Sequence, residues 1–271
     1  EDRDTLESEL IPLDEFNDII GKYFQSINLI KKLTETKALY GFSRKEQFNE
    51  NGTRENINLL WKNVPAQKNL WLPAVQVGGE GIFIQFKEDL VKNFERDKLV
   101  NERIEKFRNI ERNPRRPINL SMASARYILM HTFAHTLINT LIFECGYGAS
   151  SLQERIYCSS ENDKPMAGIL IYTSAGDTSG TMGGLVRMGR PGYFEKIFEK
   201  TLENSIWCSV DPVCMEISEF GQGPNSCNMA CCHNCALVPE TACESFNSYL
   251  DRALVCGTLE NKNLGFFTRN G

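Results

Sequence analysis

"SARYILMHTFAHTLINTLIF", residues 124–143, decides how the fold is read. The stretch is apolar enough to suggest a membrane span. Arg126, His131, His135 and Asn139 interrupt it, however, and the unbroken apolar run of about 18 residues that a span needs is missing. His131, His135 and Asn139 recur at every fourth position, and Thr132, Thr136 and Thr140 do the same on the adjoining stripe. Beside them lies an apolar face of Ile128, Leu129, Phe133, Leu137, Ile138 and Leu141. An uncharged polar stripe next to such a face belongs to a central, buried helix.

Working outward, strand and helix patterns alternate. "MAGILIYTSAGDTSGTMGG", 166–184, reads as a buried strand around Ile169–Tyr172 that runs into a glycine-rich loop carrying Asp177. "PGYFEKIFEKTLENSIW", 191–207, places Tyr193, Phe194, Ile197, Phe198, Leu202 and Ile206 on one side of a helix, with Pro191 near its start. Upstream, "WLPAVQVGGEGIFIQF", 71–86, reads as two strand-like runs around a glycine turn. A charged helix over residues 87–112 follows and stops at "RNPRRP". Residues 13–40 carry helical spacing through Phe16, Ile19, Ile20, Phe24, Ile27, Ile30 and Leu33. A last helix is expected over residues 240–254, with Phe246, Leu250 and Leu254 turned inward. The fold class expected is α/β: a mixed sheet containing 82–86 and 169–173, packed by helices 124–143 and 191–207. The expected organisation is a helical segment over 1–70, an α/β core over 71–207 and a cysteine-rich, zinc-binding lobe over 208–271. The chain opens on Glu, in the acidic run "EDRDTLESEL", and reads as part of a longer protein.

The 271 residues are 41% hydrophobic and 24% charged, ordinary for a globular protein with a sizeable core. A net charge of −5 excludes binding a polyanion through overall charge, so nucleic-acid contact would need a local basic patch. The run "KFRNIERNPRRP", 106–117, is the candidate patch, and a solvated helix end is the simpler reading.

Seven of the ten cysteines fall between 208 and 243: Cys208, Cys214, Cys227, Cys231, Cys232, Cys235 and Cys243. Cys232 and Cys235 form a Cys-x2-Cys knuckle, which presents two thiolates from one turn, as half of a tetrahedral zinc site does. Cys243, expected at the start of the last helix, and Cys214 are the candidates for the other two sulfurs. Cys208 and Cys227 can substitute for either, and His233 can replace one sulfur. Disulfides call for an oxidising compartment and a small core, hallmarks this chain lacks. An iron–sulfur cluster is the chemical alternative. Residues 208–243 hold few large apolar side chains, and "GQGPNSCN" is loop composition that cannot offset its own ordering entropy. A structural zinc, ligated by protein alone, would fix this segment.

Other motifs are weaker. His131 and His135 share one helix face as in zinc peptidases, but Thr132 stands where those enzymes place the glutamate base. Hydrogen-bonded core histidines are the plainer reading. "GDTSGTMGG", 176–184, has no lysine at the P-loop position, which argues against a nucleotide hydrolase. A phosphodiesterase or nuclease using His131, His135 and Asp177 is the rival function, and it lacks a paired-carboxylate or His-Lys constellation.

In order along the chain, "GEGIFIQF", "HTFAHTLI", "CGYGASSLQERIY", "MAGILIYTSAGDTSGTMGGL", "CSVDPVC" and "CCHNCALVPETACESFNSYLDRALV" resemble one family. This is the helicase-associated zinc-binding domain found in the DrmB subunit of DISARM anti-phage systems. The similarity covers residues 71–256, and "TKALYGFSR" upstream also fits. The family's four-cysteine set lands on Cys214, Cys232, Cys235 and Cys243. The resemblance implies a cytoplasmic, non-catalytic partner of a DrmA-like superfamily 2 helicase. It would engage DNA through that complex, have no membrane part and hold Zn2+ structurally.

Overall fold

The structure is a computed structural model that describes residues 5–39, 71–111, 124–161, 163–173, 183–217, 221–223 and 226–269. Its strands are β1 (Leu6–Ile11), β2 (Phe24–Ala38), β3 (Ala74–Phe86), β4 (Leu152–Ser159) and β5 (Met166–Thr173). The helices are α1 (Asp18–Tyr23), α2 (Glu88–Arg96), α3 (Lys98–Glu111), α4 (Ala125–Cys145), α5 (Gly184–Met188), α6 (Phe194–Ile206), α7 (Val213–Glu216) and α8 (Arg252–Cys256). The strands form one sheet in the order β1-β2-β3-β5-β4. The α/β fold, a sheet packed by helices, is as expected. The finer expectation of mixed strand direction gives way, because all four pairings are antiparallel.

Helix α4 is the central buried helix that its pattern indicated. Ser124 caps it by accepting from Tyr127 N–H, and Gly146 ends it in the left-handed region at φ 69°. It packs against α6, α8, β4 and β5. Phe133 points from it into an aromatic cluster, with ring centroids 5.8 Å from Phe86, 6.0 Å from Phe198 and 5.0 Å from Phe267. Its N-terminus is held by the buried guanidinium of Arg126. That group pairs with Glu88 at 2.7 Å and Glu95 at 2.9 Å, and donates to the Ser159 and Met166 carbonyls. Among the described residues, no helix is long and apolar enough to cross a membrane.

Residues 13–40 are corrected from helix to strand: only α1 is α-helical, and β2 occupies the rest. Register shifts interrupt β2 between Phe24 and Ser26 and again between Ile30 and Leu33. The first shift lets Phe24 and Ile27, three residues apart, both enter the core, and such steps imitate helical spacing. Strand β2 pairs with β3 along nearly its whole length, so the described N-terminal residues belong to the core sheet. They are not a separate helical unit.

The glycine-rich turn expected in 71–86 is likewise absent, since β3 runs straight through it. Gly79 and Gly81 serve close approach instead. A Cβ on Gly79 would lie 1.8 Å from the Thr173 carbonyl oxygen. Glu80 between them turns inward and accepts N–H bonds from Gly183 at 2.7 Å and Leu185 at 2.9 Å, holding the start of α5. The charged helix of 87–112 is two helices, because Asp97 stops α2 and caps α3 by accepting from Leu99 N–H at 2.8 Å.

The last helix is much shorter than expected. Residues 240–242 form a single 3-10 turn and α8 covers only Arg252–Cys256. Between them Phe246, Asn247 and Tyr249 adopt positive φ. Asn247 spends its side chain on the backbone of Val238, donating to the carbonyl at 2.7 Å and accepting from the N–H at 2.9 Å, which favours this turn over helix. Leu250 and Leu254 are buried as expected, whereas Phe246 is 62% exposed.

Candidate metal centre

The sulfur-rich segment folds back on itself so that four cysteines meet. Cys208 follows the end of α6, and Cys214 sits in α7. Cys232 and Cys235 come from the knuckle, where Cys235 N–H donates to the Cys232 carbonyl at 3.2 Å. The sulfurs of Cys208 and Cys232 lie 3.5 Å apart, those of Cys214 and Cys235 3.9 Å, and those of Cys232 and Cys235 3.8 Å. All four fall within 4.8 Å of one another. A tetrahedron with Zn–S bonds of about 2.3 Å has edges of roughly 3.8 Å. The donor set and its spacing therefore fit zinc.

The surroundings fit as well. Backbone N–H groups point at two of the sulfurs: Cys232 N–H at Cys235 Sγ, 3.1 Å, and Val210 N–H at Cys208 Sγ, 3.5 Å. Gln222 donates to Cys214 Sγ at 3.4 Å. Arg252 is fully buried and places Nη2 3.6 Å from Cys214 Sγ, a positive charge against a thiolate cluster. The same guanidinium pairs with Asp211 at 2.9 Å and donates to the Ser205 carbonyl at 2.8 Å. One arginine thus ties the end of α6, the Cys208–Cys214 loop and α8 together. Its neighbour Asp251 pairs with Arg103 of α3 at 2.8 Å and accepts from Ala230 N–H, extending the tie to the knuckle. Without metal, the Cys214 thiol is pushed well up by its hydrogen bond with Cys235 and then by burial, and Arg252 opposes the shift.

Of the expected ligands Cys214, Cys232, Cys235 and Cys243, the structure brings the first three together. Cys208 stands fourth. Cys243 lies in a second group with His131, His135 and Glu154. Cys243 was expected both from the family resemblance and from a helix start, and the helix start does not form there, for this residue ends the 3-10 turn instead. Cys231 packs among Ala236 and Leu250, Cys227 is buried outside both groups, and His233 is exposed beside the knuckle.

His131 and His135 are both fully buried, as the core reading of this pair required. Thr132, the residue between them and the apolar face, donates to the Ile128 carbonyl and accepts from Asp251 N–H. Glu154, on β4, was missed. Leu152 and Glu154 share the inward face of that strand, and the only local signal was a carboxylate at an apolar register position. Burial raises the Glu154 pKa, and the adjoining His131 and His135 together bring it below the usual carboxylate range. Burial lowers the His131 pKa, and the adjoining Glu154 opposes that shift. Asp177 lies outside the described residues, as do most of the loop 176–184 and residues 112–117 of the basic run.

Residues 133–236 match the MrfA Zn-binding domain. All four clustered cysteines fall inside that span, and Cys243 falls outside it. The chain is also similar to the DISARM protein DrmB of Bacillus paralicheniformis, with 36% identity over 249 residues. That alignment covers 90% of this chain and 43% of the relative, so the chain spans less than half of the protein it matches. The DrmB-type resemblance read from the motifs holds across this region, and zinc is the cofactor that the family match and the clustered donors support.

Proposed function

We propose that the chain is a non-catalytic, zinc-stapled region of a DISARM-type anti-phage defence protein. It acts in the cytoplasm beside a DrmA-like superfamily 2 helicase and engages DNA through that complex, not through its own net charge of −5. Cys208, Cys214, Cys232 and Cys235 hold the zinc. Four protein ligands leave no open position for water or substrate, the arrangement of a structural site. Bound there, zinc supplies cross-linking alone. Arg252 offsets part of the sulfur charge, and the Cys232 and Val210 amides orient two of the thiolates.

The observation that carries this reading is the four-sulfur cluster inside the zinc-binding family span, wired by Arg252 and Asp251 into the core. The rival reading, a phosphodiesterase or nuclease, would need His131 and His135 to meet substrate, and both are fully buried. The test is co-purification of the full-length protein with the helicase encoded beside it, followed by DNA binding with and without this subunit. Plaque counts on cells carrying Asp177→Ala complete it. Retained protection by the folded variant and helicase co-elution are expected. Loss of protection with normal folding and normal helicase binding would restore the enzyme.

A further inference from the structure

The group left aside by the cysteine centre has the composition of a metal site of its own. His131 Nε2 lies 2.9 Å from Glu154 Oε1 and 3.1 Å from Cys243 Sγ, and His135 Nε2 lies 3.2 Å from Glu154 Oε1. The four donor atoms are all within 4.8 Å of one another. Three of the side chains are at most 2% exposed and Cys243 is 6% exposed. We propose that His131, His135, Glu154 and Cys243 bind a second divalent zinc ion, separate from the four-cysteine centre and closed to solvent.

Four features support it. His135 Nδ1 is 2.8 Å from the Ala236 carbonyl, which can only accept, so Nδ1 carries the proton and the Nε2 lone pair faces inward. That lone pair meets a carboxylate oxygen, two acceptors at hydrogen-bond distance with a cation or an extra proton required between them. Cys243 Sγ accepts N–H bonds from Asn247 at 3.2 Å and Ser245 at 3.4 Å, the kind of amide support that Cys235 receives in the knuckle. Glu154 Oε2 is buried and has no hydrogen-bond partner among the described residues.

Charge then selects the ion. Two neutral imidazoles, one carboxylate and one thiolate sum to −2, so a divalent ion makes the centre neutral and spares the interior an uncompensated charge. Two nitrogens, one oxygen and one sulfur in a closed four-coordinate shell suit zinc. The two centres are also adjacent in the chain: Cys235 belongs to the first, and the next residue, Ala236, orients His135 of the second. The second ion would fasten α4, β4 and the 243–251 turn together.

The alternative occupant is a proton shared between His135 and Glu154. Zinc content of the full-length protein, measured after removal of loosely bound metal, separates the two. Cys243→Ser and Glu154→Gln should each lower it by one ion per chain, Cys208→Ser by one, and Cys208→Ser with Cys243→Ser by two. Unchanged content in a folded Cys243→Ser protein overturns the proposal. Should the variants fail to fold, zinc X-ray absorption on the wild type still decides. Two centres give five sulfurs and three nitrogen or oxygen ligands shared between two ions, and an all-sulfur shell refutes the second.

Discussion

Arg252 offers the sharpest test of how the cysteine centre is supported. Arg252→Met keeps the bulk of the side chain and removes its charge. In the wild type the guanidinium sits 3.6 Å from Cys214 Sγ, with both residues fully buried, so solvent screens the pair little. At an effective dielectric of about 20, a full charge pair at that distance is worth roughly 4–5 kcal/mol. The methionine variant no longer bears the desolvation of a buried arginine, which offsets part of this. Outer-shell partners of metals are typically worth about 10- to 100-fold in affinity, or roughly 1.4–2.7 kcal/mol, and that range is the one expected here. Losing the bonds to Asp211 and the Ser205 carbonyl adds a stability cost of about 3 kcal/mol. For a chain of this size that lowers the melting temperature by about 6–12 °C. Competition against a calibrated zinc chelator reads the affinity, and thermal unfolding at fixed free zinc reads the stability. A folded Arg252→Met protein with wild-type zinc affinity would show that Arg252 is a bystander to the metal and that the charge argument is wrong.

Cys235→Ser should cut the zinc content by one per chain and make the C-terminal lobe protease-sensitive before any defence activity changes in surviving protein, because structural zinc contributes folding energy, roughly 10–16 kcal/mol in small zinc peptides. Limited proteolysis with mass mapping checks it, and uniform digestion across the chain would contradict it. Gly79→Ala should cost about 3 kcal/mol or more, since its Cβ would meet the Thr173 carbonyl oxygen at 1.8 Å and the backbone itself must move. The urea midpoint reports it, and an unchanged midpoint refutes the close approach of β3 and β5. Phe133→Ala should cost about 3–5 kcal/mol by leaving a cavity among Phe86, Phe198 and Phe267. A loss under 1 kcal/mol in the same titration would mean that the cluster is not the packed centre.

The amino-acid order by itself determined the features whose information is local. Helix α4 was legible because its stripes repeat within one element. The knuckle was legible because two thiols from one turn need no distant partner. Strand β5 announced itself as an unbroken apolar run, and its burial on both faces explains that composition. Where the same reading failed, the deciding forces were non-local. The apolar spacing of residues 24–33 suits a helix and a bulged strand alike, and pairing with β3 settles it as strand. Gly79 and Gly81 look like part of a turn until β5 is laid against them. Only tertiary structure brought the candidate metal ligands together. Cys208 lies 24 residues from its neighbour Cys232, and His131 lies 112 residues from Cys243. No periodicity spans such separations, because the sheet and the Arg252 and Asp251 ties set those distances, not the spacing of the residues along the chain.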